Sequence, residues 1–177
     1  MSSPPVQAIP SDPALPEFVD VAVVGGGIVG VSTCHALARK GLKVALFEKG
    51  AVGAEQSSRN WGFCRQQNRD ERELPLIKAS LRIWDEISRD SGIELGFRRA
   101  GIAYVTNDPA TLATWEAWGK VASRYDVRCR ILASAEAAAA TPGSDRKWLG
   151  GASCEGDGRA ETVLAAPGIA EAARKLG

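Results

Sequence analysis

The chain has 177 residues, a formal net charge of +1 at pH 7 and 45% hydrophobic residues. This length suffices for one ordinary domain with a buried core, and the near-zero charge gives no indication of binding to nucleic acid or to an acidic membrane surface. No stretch of about 20 residues is free of both charges and glycine, so the sequence predicts no membrane span, and it begins with no basic segment of the secretory type.

The composition of residues 1–17 predicts a flexible leader that buries little apolar surface. The segment is rich in serine and proline, and the prolines are Pro4, Pro5, Pro10, Pro13 and Pro16.

Residues 19–49 predict a strand, a glycine turn, a helix and a second strand. The apolar run Val21–Val24 leads into Gly25–Gly30, which fits the pattern G-x-G-x-x-G. A helix is predicted over residues 31–40, and Gly41 is placed to end it in a left-handed conformation. This order of elements is typical of a dinucleotide-binding unit.

Each glycine of the turn has a predicted role. Gly25 takes the tight turn, Gly27 lets the backbone approach a pyrophosphate, and Gly30 lets the helix pack close to the strand. The positive end of the helix favours the negative charge of the pyrophosphate. Glu48 ends the second apolar run and lies at the spacing expected for a ribose contact. A glycine-rich turn in another α/β protein is the alternative, but it leaves three glycines unexplained.

A polar loop follows Glu48 and includes Ser57, Ser58, Arg59 and Asn60. These side chains could wrap the far side of a bound dinucleotide, although composition alone equally allows an ordinary solvated loop. Residues 63–69 continue the loop with two arginines and three side-chain amides, a high density of hydrogen-bonding groups.

The rest of the chain alternates helices and strands. Trp84 lies on the apolar face of a helix and is interpreted as a core residue. Asp108 is predicted as a helix N-cap before Pro109, whereas Ser134 only approximates a capping box because Glu136 comes too early. The predicted elements are a helix at 74–89, a strand at 102–106, a helix from 109, strands at 127–132 and 148–152, a helix at 134–140, and a helix from 167.

The four cysteines are Cys34, Cys64, Cys129 and Cys154. They form no C-x-x-C pair and have no histidine at ligand spacing, so the sequence predicts neither a disulfide framework nor a metal site. It indicates reduced thiols and a cytoplasmic protein. The single histidine, His35, lies in a predicted helix and is interpreted as a structural or surface residue.

Four motifs together resemble one known family, that of the D-amino-acid oxidases, which includes glycine oxidase, sarcosine oxidase and D-amino-acid dehydrogenase. The motifs are Val23–Gly30, Glu48-Lys49, Ser57–Asn60 and Gly156-Asp157-Gly158. The resemblance runs from about residue 19 to 177 and is specific in its first part, whereas residues 92–150 match in pattern only.

The resemblance implies an α/β protein with a Rossmann-like FAD-binding domain, here incomplete, and part of an α+β substrate domain. After the leader, residues 18–91 would form the first part of the FAD-binding domain. Residues 92–150 would belong to the substrate domain, and residues 151–177 would return to the FAD-binding domain.

The resemblance also implies FAD as the cofactor and assigns residues to it. Gly25, Gly26, Gly27, Ile28 and Gly30 would lie at the pyrophosphate, Glu48 and Lys49 at the adenosine ribose, and Ser57, Ser58, Arg59 and Asn60 along the pyrophosphate and ribityl chain. Arg65 and Gln66 are candidates for contact with the flavin or the substrate. No catalytic residue is assigned.

The implied activity is hydride transfer to flavin from the carbon next to the amine of a small amine or amino acid. Members of the family resemble each other over much longer chains, so the sequence is expected to be the N-terminal part of such an enzyme. A strand without its neighbour would expose unpaired backbone groups, which predicts poor stability or a second chain that completes the fold.

Two other functions stay open at this point. One is a non-catalytic FAD-binding fragment, or a subunit that another chain completes. The other is an NAD(P)-binding module, because the glycine turn does not distinguish the two cofactors; the loop at Ser57–Asn60 favours FAD. The sequence gives neither the substrate nor the choice between oxidase and dehydrogenase.

Overall fold

The computed structural model describes residues 4–177, which form two compact units. Unit 1 contains residues up to 62, 83–97 and 160–177, and unit 2 contains residues 63–82 and 98–159. These units do not end at the predicted domain boundaries, which are residues 17, 91 and 150. The assignment of the predicted domains to FAD and to the substrate stays a prediction. The mixture of helices and strands confirms the predicted α/β class.

Seven strands and five helices of the described residues carry the labels used below. The strands are β1 (Val21–Val24), β2 (Val44–Phe47), β3 (Phe63–Cys64), β4 (Ile102–Thr106), β5 (Cys129–Ala133), β6 (Gly150–Cys154) and β7 (Gly158–Arg159). The helices are α1 (Ile28–Ala38), α2 (Leu74–Ser91), α3 (Pro109–Arg124), α4 (Ser134–Ala139) and α5 (Thr162–Arg174).

Unit 1 contains the predicted strand, turn, helix and strand. β1 and β2 pair in parallel, with Val21 opposite Val44 and Val24 opposite Phe47. Gly41 has φ +78° and donates its N–H to the Ala38 carbonyl, while Leu42 donates to the Leu37 carbonyl. These two bonds form the Schellman motif that a left-handed glycine allows at a helix end, so the predicted end of α1 is confirmed.

The core of unit 1 lies between α1 and α5. Val31, Ile87, Leu95 and Ile169 are among its buried residues. Trp84 packs against this core and stacks on Phe97 with ring centroids 5.4 Å apart, which confirms its interpretation as a core residue.

Helix α5 begins five residues earlier than predicted, at Thr162 and not at Pro167. Pro167 therefore lies inside the helix, where it cannot donate a hydrogen bond to the carbonyl four residues before it. That carbonyl belongs to Val163, and it accepts the backbone N–H of Gln7 at 3.1 Å. The prediction placed proline at the first helical position because it did not include a donor from a distant part of the chain.

The predicted leader therefore has contacts in unit 1. Besides the bond from Gln7 to Val163, the side chain of Ile9 packs against the core. Residues 1–3 of the leader lie outside the described part of the chain.

Unit 2 is built on an antiparallel sheet of three strands in the order β4-β6-β5. Asp108 caps α3 as predicted, because its carboxylate accepts the N–H groups of Ala110 and Thr111. The N-cap of α4 is Ala133 and not Ser134, so Glu136 has capping-box spacing after all and accepts the Ala133 N–H at 2.9 Å. A short antiparallel pair, β3 with β7, was not predicted.

The prediction that all four cysteines are reduced is wrong for two of them. Cys129 and Cys154 are directly opposite each other in β5 and β6, with Cα atoms 4.1 Å apart, and a disulfide joins them. Spacing rules did not find the pair because strand register, and not sequence distance, brings it together. Cys34 and Cys64 are reduced thiols, as predicted.

Two further findings concern single features. His35 is buried on α1, and burial lowers its pKa, which agrees with a structural role.

Within residues 4–177, none of the helices combines the length and the apolar character needed to cross a membrane.

Candidate functional site in the glycine turn and the Asp157 cluster

The glycine turn of unit 1 requires glycine at two positions. Gly25 has φ +103°, a left-handed conformation that side chains other than glycine rarely adopt. A Cβ atom on Gly30 would overlap the Gly25 carbonyl oxygen, so α1 can approach the turn only because Gly30 has no side chain. These are the roles that the sequence predicted for Gly25 and Gly30.

Glu48 closes the turn from the end of β2. Its carboxylate accepts the N–H of Gly26 at 2.6 Å and the N–H of Gly50 at 2.9 Å. These backbone donors, Gly26 first, hold the pKa of Glu48 below its usual value, because they stabilise the ionised form. Glu48 is therefore an ionised group fixed against the glycine turn, a contact that the sequence did not predict.

The N-terminus of α1 receives a side chain from the polar loop. The hydroxyl oxygen of Ser57 accepts the N–H of Ile28, the first helical residue, at 2.8 Å. The N-cap residue Gly27 supplies no side-chain bond, and the first turn contains no acidic residue. No carboxylate in the first turn of α1 offsets the positive end of the helix dipole. This end of the helix therefore favours binding of an external anion.

The other loop residues hold the loop itself. Ser58 is 3% exposed, and its carbonyl accepts the Thr162 hydroxyl at 3.1 Å. Arg59 forms an ion pair with Glu55 at 2.7 Å, and the Lys49 amine lies 3.8 Å from the same carboxylate. Asn60 donates to the Ser57 carbonyl at 2.9 Å, so the loop is ordered by its own side chains.

Unit 2 contains a second polar group, the Asp157 cluster, which consists of Arg65, Gln66, Gln67 and Asp157. Asp157 is fully buried. Its carboxylate accepts the backbone N–H of Gln66 at 2.7 Å, the side-chain amide N–H of Gln66 at 3.2 Å and the backbone N–H of Gln67 at 3.3 Å. Arg65 donates to the Gln67 carbonyl at 2.6 Å.

Burial is the main electrostatic influence in this cluster. Burial raises the pKa of Asp157, while the bonds from Gln66 and Gln67 lower it in part. Burial, with a smaller contribution from Asp157, also raises the pKa of the neighbouring Cys64 thiol to about 11. Cys64 therefore stays a neutral thiol at physiological pH and is unsuited to nucleophilic chemistry.

Gln67 is the one buried side chain of the cluster whose amide lacks partners. It is 1% exposed, and within the described residues 4–177 neither its Nε2 nor its Oε1 has a hydrogen-bond partner. Sequence reasoning proposed Arg65 and Gln66 as contact residues, whereas it used Asp157 only as part of the Gly156-Asp157-Gly158 motif and Gln67 only as one of three side-chain amides. The dense run of amides at 66–68 was the available signal, but no local rule connects it to residue 157.

The structure thus brings most of the predicted site residues together in unit 1 and assigns two of them to unit 2. Arg65 and Gln66 lie in unit 2. The residues of unit 1 are Gly25, Gly26, Gly27, Ile28, Gly30, Glu48, Lys49, Ser57, Ser58, Arg59 and Asn60. Within residues 4–177 there is no group of three or more His, Cys, Asp or Glu that could hold a metal ion.

Comparison with known proteins gives matches over nearly the whole chain. The family described as "DAO: FAD dependent oxidoreductase" matches residues 20–177. Glycine oxidase of Geobacillus kaustophilus (strain HTA426) is 32% identical over 90 residues, which cover 47% of this chain and 24% of that protein. One of the subunits of opine oxidase from Rhizobium meliloti is 25% identical over 170 residues, 90% of this chain and 46% of that protein.

Solved structures match the same region. L-amino acid deaminase from Proteus myxofaciens, in complex with anthranilate, has a TM-score of 0.90 and 27% identity over 100% of this chain and 41% of that one. L-proline dehydrogenase from P. horikoshii has a TM-score of 0.83 and 28% identity over 92% of this chain and 43% of that one. The chain therefore spans less than half the length of each of these proteins.

Proposed function

Because the chain belongs to the family of FAD-dependent oxidoreductases, we propose that it binds FAD at the glycine turn and serves the oxidation of an amine or amino acid. The observation that carries this proposal is the geometry around Gly25–Gly30. A left-handed Gly25 and a close helix contact at Gly30 shape the turn, and the carboxylate of Glu48 accepts the Gly26 N–H.

The glycine turn fits the pyrophosphate of FAD. The first turn of α1 contains no acidic residue, so the positive end of the helix dipole favours an anion. The N–H groups of Gly26 and Ile28 are bonded to Glu48 and Ser57, so the glycines would act by letting the backbone come close to the phosphates. Ser57 accepts the Ile28 N–H, so its hydroxyl proton is available to a phosphate oxygen. We assign Gly25, Gly26, Gly27 and Ile28 to the pyrophosphate together with Ser57.

Glu48 fits the ribose hydroxyls. Its two oxygens accept the N–H groups of Gly26 and Gly50, and an ionised carboxylate has about four acceptor positions in all. Two positions therefore remain for a pair of hydroxyl donors, and the lowered pKa keeps the group ionised. We place Lys49 beside the ribose, since it follows Glu48 directly.

The loop residues are proposed to line the rest of the cofactor. The ion pair with Glu55 orients the guanidinium of Arg59, which can contact a phosphate. Ser58 and Asn60 hold the loop by bonds within unit 1 and would act mainly by shaping it. Arg65 and Gln66 are proposed to contact the flavin or the substrate.

Bound FAD would supply the hydride acceptor, and the residues of the chain would bind and orient the reactants. An amine or amino acid as substrate is supported by the names of the relatives, which are glycine oxidase, sarcosine dehydrogenase and L-amino acid deaminase. The family match favours FAD over NAD(P).

A visible absorption spectrum tests the proposal. The purified chain is mixed with FAD, desalted and scanned near 450 nm, and retained flavin is then exposed to a panel of amines and amino acids. We expect retained flavin and bleaching by one class of amine. The matched control is Gly27→Asp, which places a negative charge at the helix N-terminus and should abolish retention; equal retention by this variant would contradict the assigned site.

A second candidate function is an FAD-binding subunit that another chain completes. The opine oxidase relative is, by its name, one part of an assembly. In the described residues β1 pairs only with β2, and Val24 of β1 is 86% exposed, so β1 offers a free edge and an apolar side chain. Flavin that is retained but not bleached by any amine, with bleaching restored by a partner chain, would favour this candidate.

For location, we keep a cytoplasmic protein as a proposal. It rests on the reduced thiols of Cys34 and Cys64, whereas the bond between Cys129 and Cys154 weighs against it, because disulfides persist mainly in oxidising compartments. Cell fractionation tests it, and recovery of the protein outside the cytoplasmic fraction would contradict it.

A further inference from the structure

We propose that Cys129 is the site at which a dithiol reductant opens the disulfide to Cys154, and that opening releases the turn at residues 155–157 with the two backbone amides that Asp157 holds. The inference concerns unit 2 alone and does not depend on the proposed function. It assigns a redox-sensitive site to the antiparallel sheet, with a dithiol as the reactant.

The disulfide lies at one end of the sheet. Cys129 is the first residue of β5, and it is opposite Cys154, the last residue of β6. Within the described sheet β5 is an edge strand, whereas β6 lies between β4 and β5. The bond therefore joins the two strands where the chain enters the edge strand and leaves the central one.

The two cysteines of the disulfide are unequally exposed. Cys154 is 0% exposed, whereas Cys129 is only partly buried. Thiol–disulfide exchange requires that a thiolate reach one of the two sulfur atoms, and exposed disulfides are the ones that are most easily reduced. A reductant from solvent therefore attacks Cys129, and Cys154 is the leaving group.

The exchange balances in two steps. A thiolate of the dithiol bonds to the Sγ atom of Cys129, the S–S bond breaks, and Cys154 leaves as a thiolate that takes up a proton. The second thiol of the reductant, as a thiolate, then attacks the reductant's own sulfur in the mixed disulfide and releases Cys129, which is protonated in turn. The reductant loses two electrons and becomes a disulfide, and the cysteine pair gains these electrons.

The other two cysteines do not compete for this exchange. Cys34 is buried and lies in unit 1. Cys64 lies in unit 2, but burial raises the pKa of its thiol to about 11, so little of it is a thiolate at neutral pH. The pair at Cys129 and Cys154 can therefore open and close without forming another pairing.

Opening of the disulfide affects the turn that follows β6. Glu155 donates its N–H to the Arg128 carbonyl at 3.2 Å, and Asp157 donates its N–H to the Cys154 carbonyl at 3.3 Å. Two unbonded sulfur atoms need more space than a bonded pair, and a closely packed interior holds little spare space. Because Cys154 is fully buried, the ends of β5 and β6 must separate, which weakens the bond between Glu155 and Arg128.

The same turn holds a distant part of unit 2. The carboxylate of Asp157 accepts the backbone N–H of Gln66 at 2.7 Å and that of Gln67 at 3.3 Å. These two amides are protected from solvent exchange only while Asp157 stays in place. Reduction of the disulfide should therefore be detectable about ninety residues away in sequence.

The first test is a thiol count on the parent protein before and after treatment with dithiothreitol, a dithiol. The exchange is stopped with acid, and the thiols are alkylated in urea and counted by mass spectrometry. We expect two alkylated cysteines before treatment, Cys34 and Cys64, and four after it, with the circular dichroism of the folded protein retained. A disulfide that resists dithiothreitol until the protein unfolds would overturn the inference.

The second test locates the attacked sulfur with a monothiol, reduced glutathione, which forms the mixed disulfide on the parent protein. After a short reaction and alkylation, peptide mapping should find glutathione on Cys129 and the alkyl group on Cys154. Glutathione on Cys154 would contradict the assignment of Cys129 as the attacked residue.

The third test is hydrogen exchange in the oxidised and reduced protein. After reduction we expect the peptides that contain residues 66–67 and 155–157 to exchange about fivefold faster, the effect of one lost hydrogen bond. Asp108→Ala, which removes the cap of α3 in the same unit, is the control for lost stability alone and should leave both peptides unchanged in the oxidised state. Unchanged exchange of either peptide after reduction, or equal acceleration in oxidised Asp108→Ala, would overturn the inference.

Discussion

The glycine turn of unit 1 and the Asp157 cluster of unit 2 are both fixed by carboxylates that accept backbone N–H groups, but the chain assembles them differently. Glu48 and Gly26 are 22 residues apart in sequence and belong to one strand-turn-helix-strand unit. Asp157 reaches Gln66 over 91 residues, from a turn after β6. The first carboxylate has a lowered pKa and the second a raised one.

This difference separates a local motif from a long-range one. Backbone donors dominate at Glu48, so ionisation is favoured and the turn is held by charge. Desolvation has the larger effect at Asp157, because burying a carboxylate costs free energy. The bonds from Gln66 and Gln67 offset this cost only in part. Unit 1 should therefore respond most to changes in backbone geometry, and unit 2 to changes in its long-range links.

The largest expected effect is on the disulfide of unit 2. The link between Cys129 and Cys154 has a sequence separation of 25, and closing a loop of this size stabilises a fold by roughly 3 to 4 kcal/mol. We expect Cys129→Ser to lower the free energy of unfolding by that amount, as measured by urea denaturation. Reductant should destabilise the parent protein and leave Cys129→Ser unchanged. Four titratable thiols in the unreduced, denatured protein would contradict this prediction.

The next effect concerns the glycine turn. In Gly30→Ala the new methyl group would overlap the Gly25 carbonyl, and overpacking of this kind costs about 2 to 3 kcal/mol. Gly27→Ala is the matched control, because its Cβ would make only a 3.4 Å contact with the Ser57 hydroxyl. We expect Gly27→Ala to unfold near the parent midpoint while retaining less FAD. Equal midpoints for both variants would refute the close-packing role of Gly30.

A smaller effect is expected at the start of α1. Ser57→Ala removes the acceptor of the Ile28 N–H, and loss of such a cap costs about 1 kcal/mol. Ser80→Ala, at an exposed position of α2, is the control and should be nearly neutral. The comparison is made by urea denaturation, and a loss for Ser57→Ala no larger than that for Ser80→Ala would show that Ser57 does not support the helix.

The smallest effect is a pH dependence. The folded-state pKa of Glu48 lies below its ordinary value of 4.5, so its ionised form stabilises the folded state. This contribution is present above pH 4.5 and is lost as the pH falls through the folded-state pKa. Unfolding midpoints measured between pH 3 and 6 should fall less steeply with acid in Glu48→Gln than in the parent. Parallel pH profiles would contradict the prediction.

The sequence predicted the local parts of this structure well. The turn at Gly25, the end of α1 at Gly41 and the cap at Asp108 follow from rules that act within a few residues. Each depends on one residue type at one place in the backbone, so no knowledge of the rest of the fold was needed.

The parts that could not be predicted depend on distant residues. The Val163 carbonyl left open by Pro167 is bonded by Gln7, the disulfide depends on the register of β5 and β6, and the bonds of Asp157 depend on Gln66. Propensity and spacing give no information on such pairs. The two predicted candidates in the Asp157 cluster, Arg65 and Gln66, were reached through composition and resemblance and not through their bonds.

The bond from Gln7 to Val163 places an unusual demand on the start of the chain. The donor is a backbone N–H, so any residue except proline could supply it at position 7, even though prolines are frequent among the surrounding positions. The bond would therefore select no particular side chain at position 7 and would exclude only proline. An N-terminal region that looks dispensable by composition can in this way support a helix more than 150 residues further along the chain.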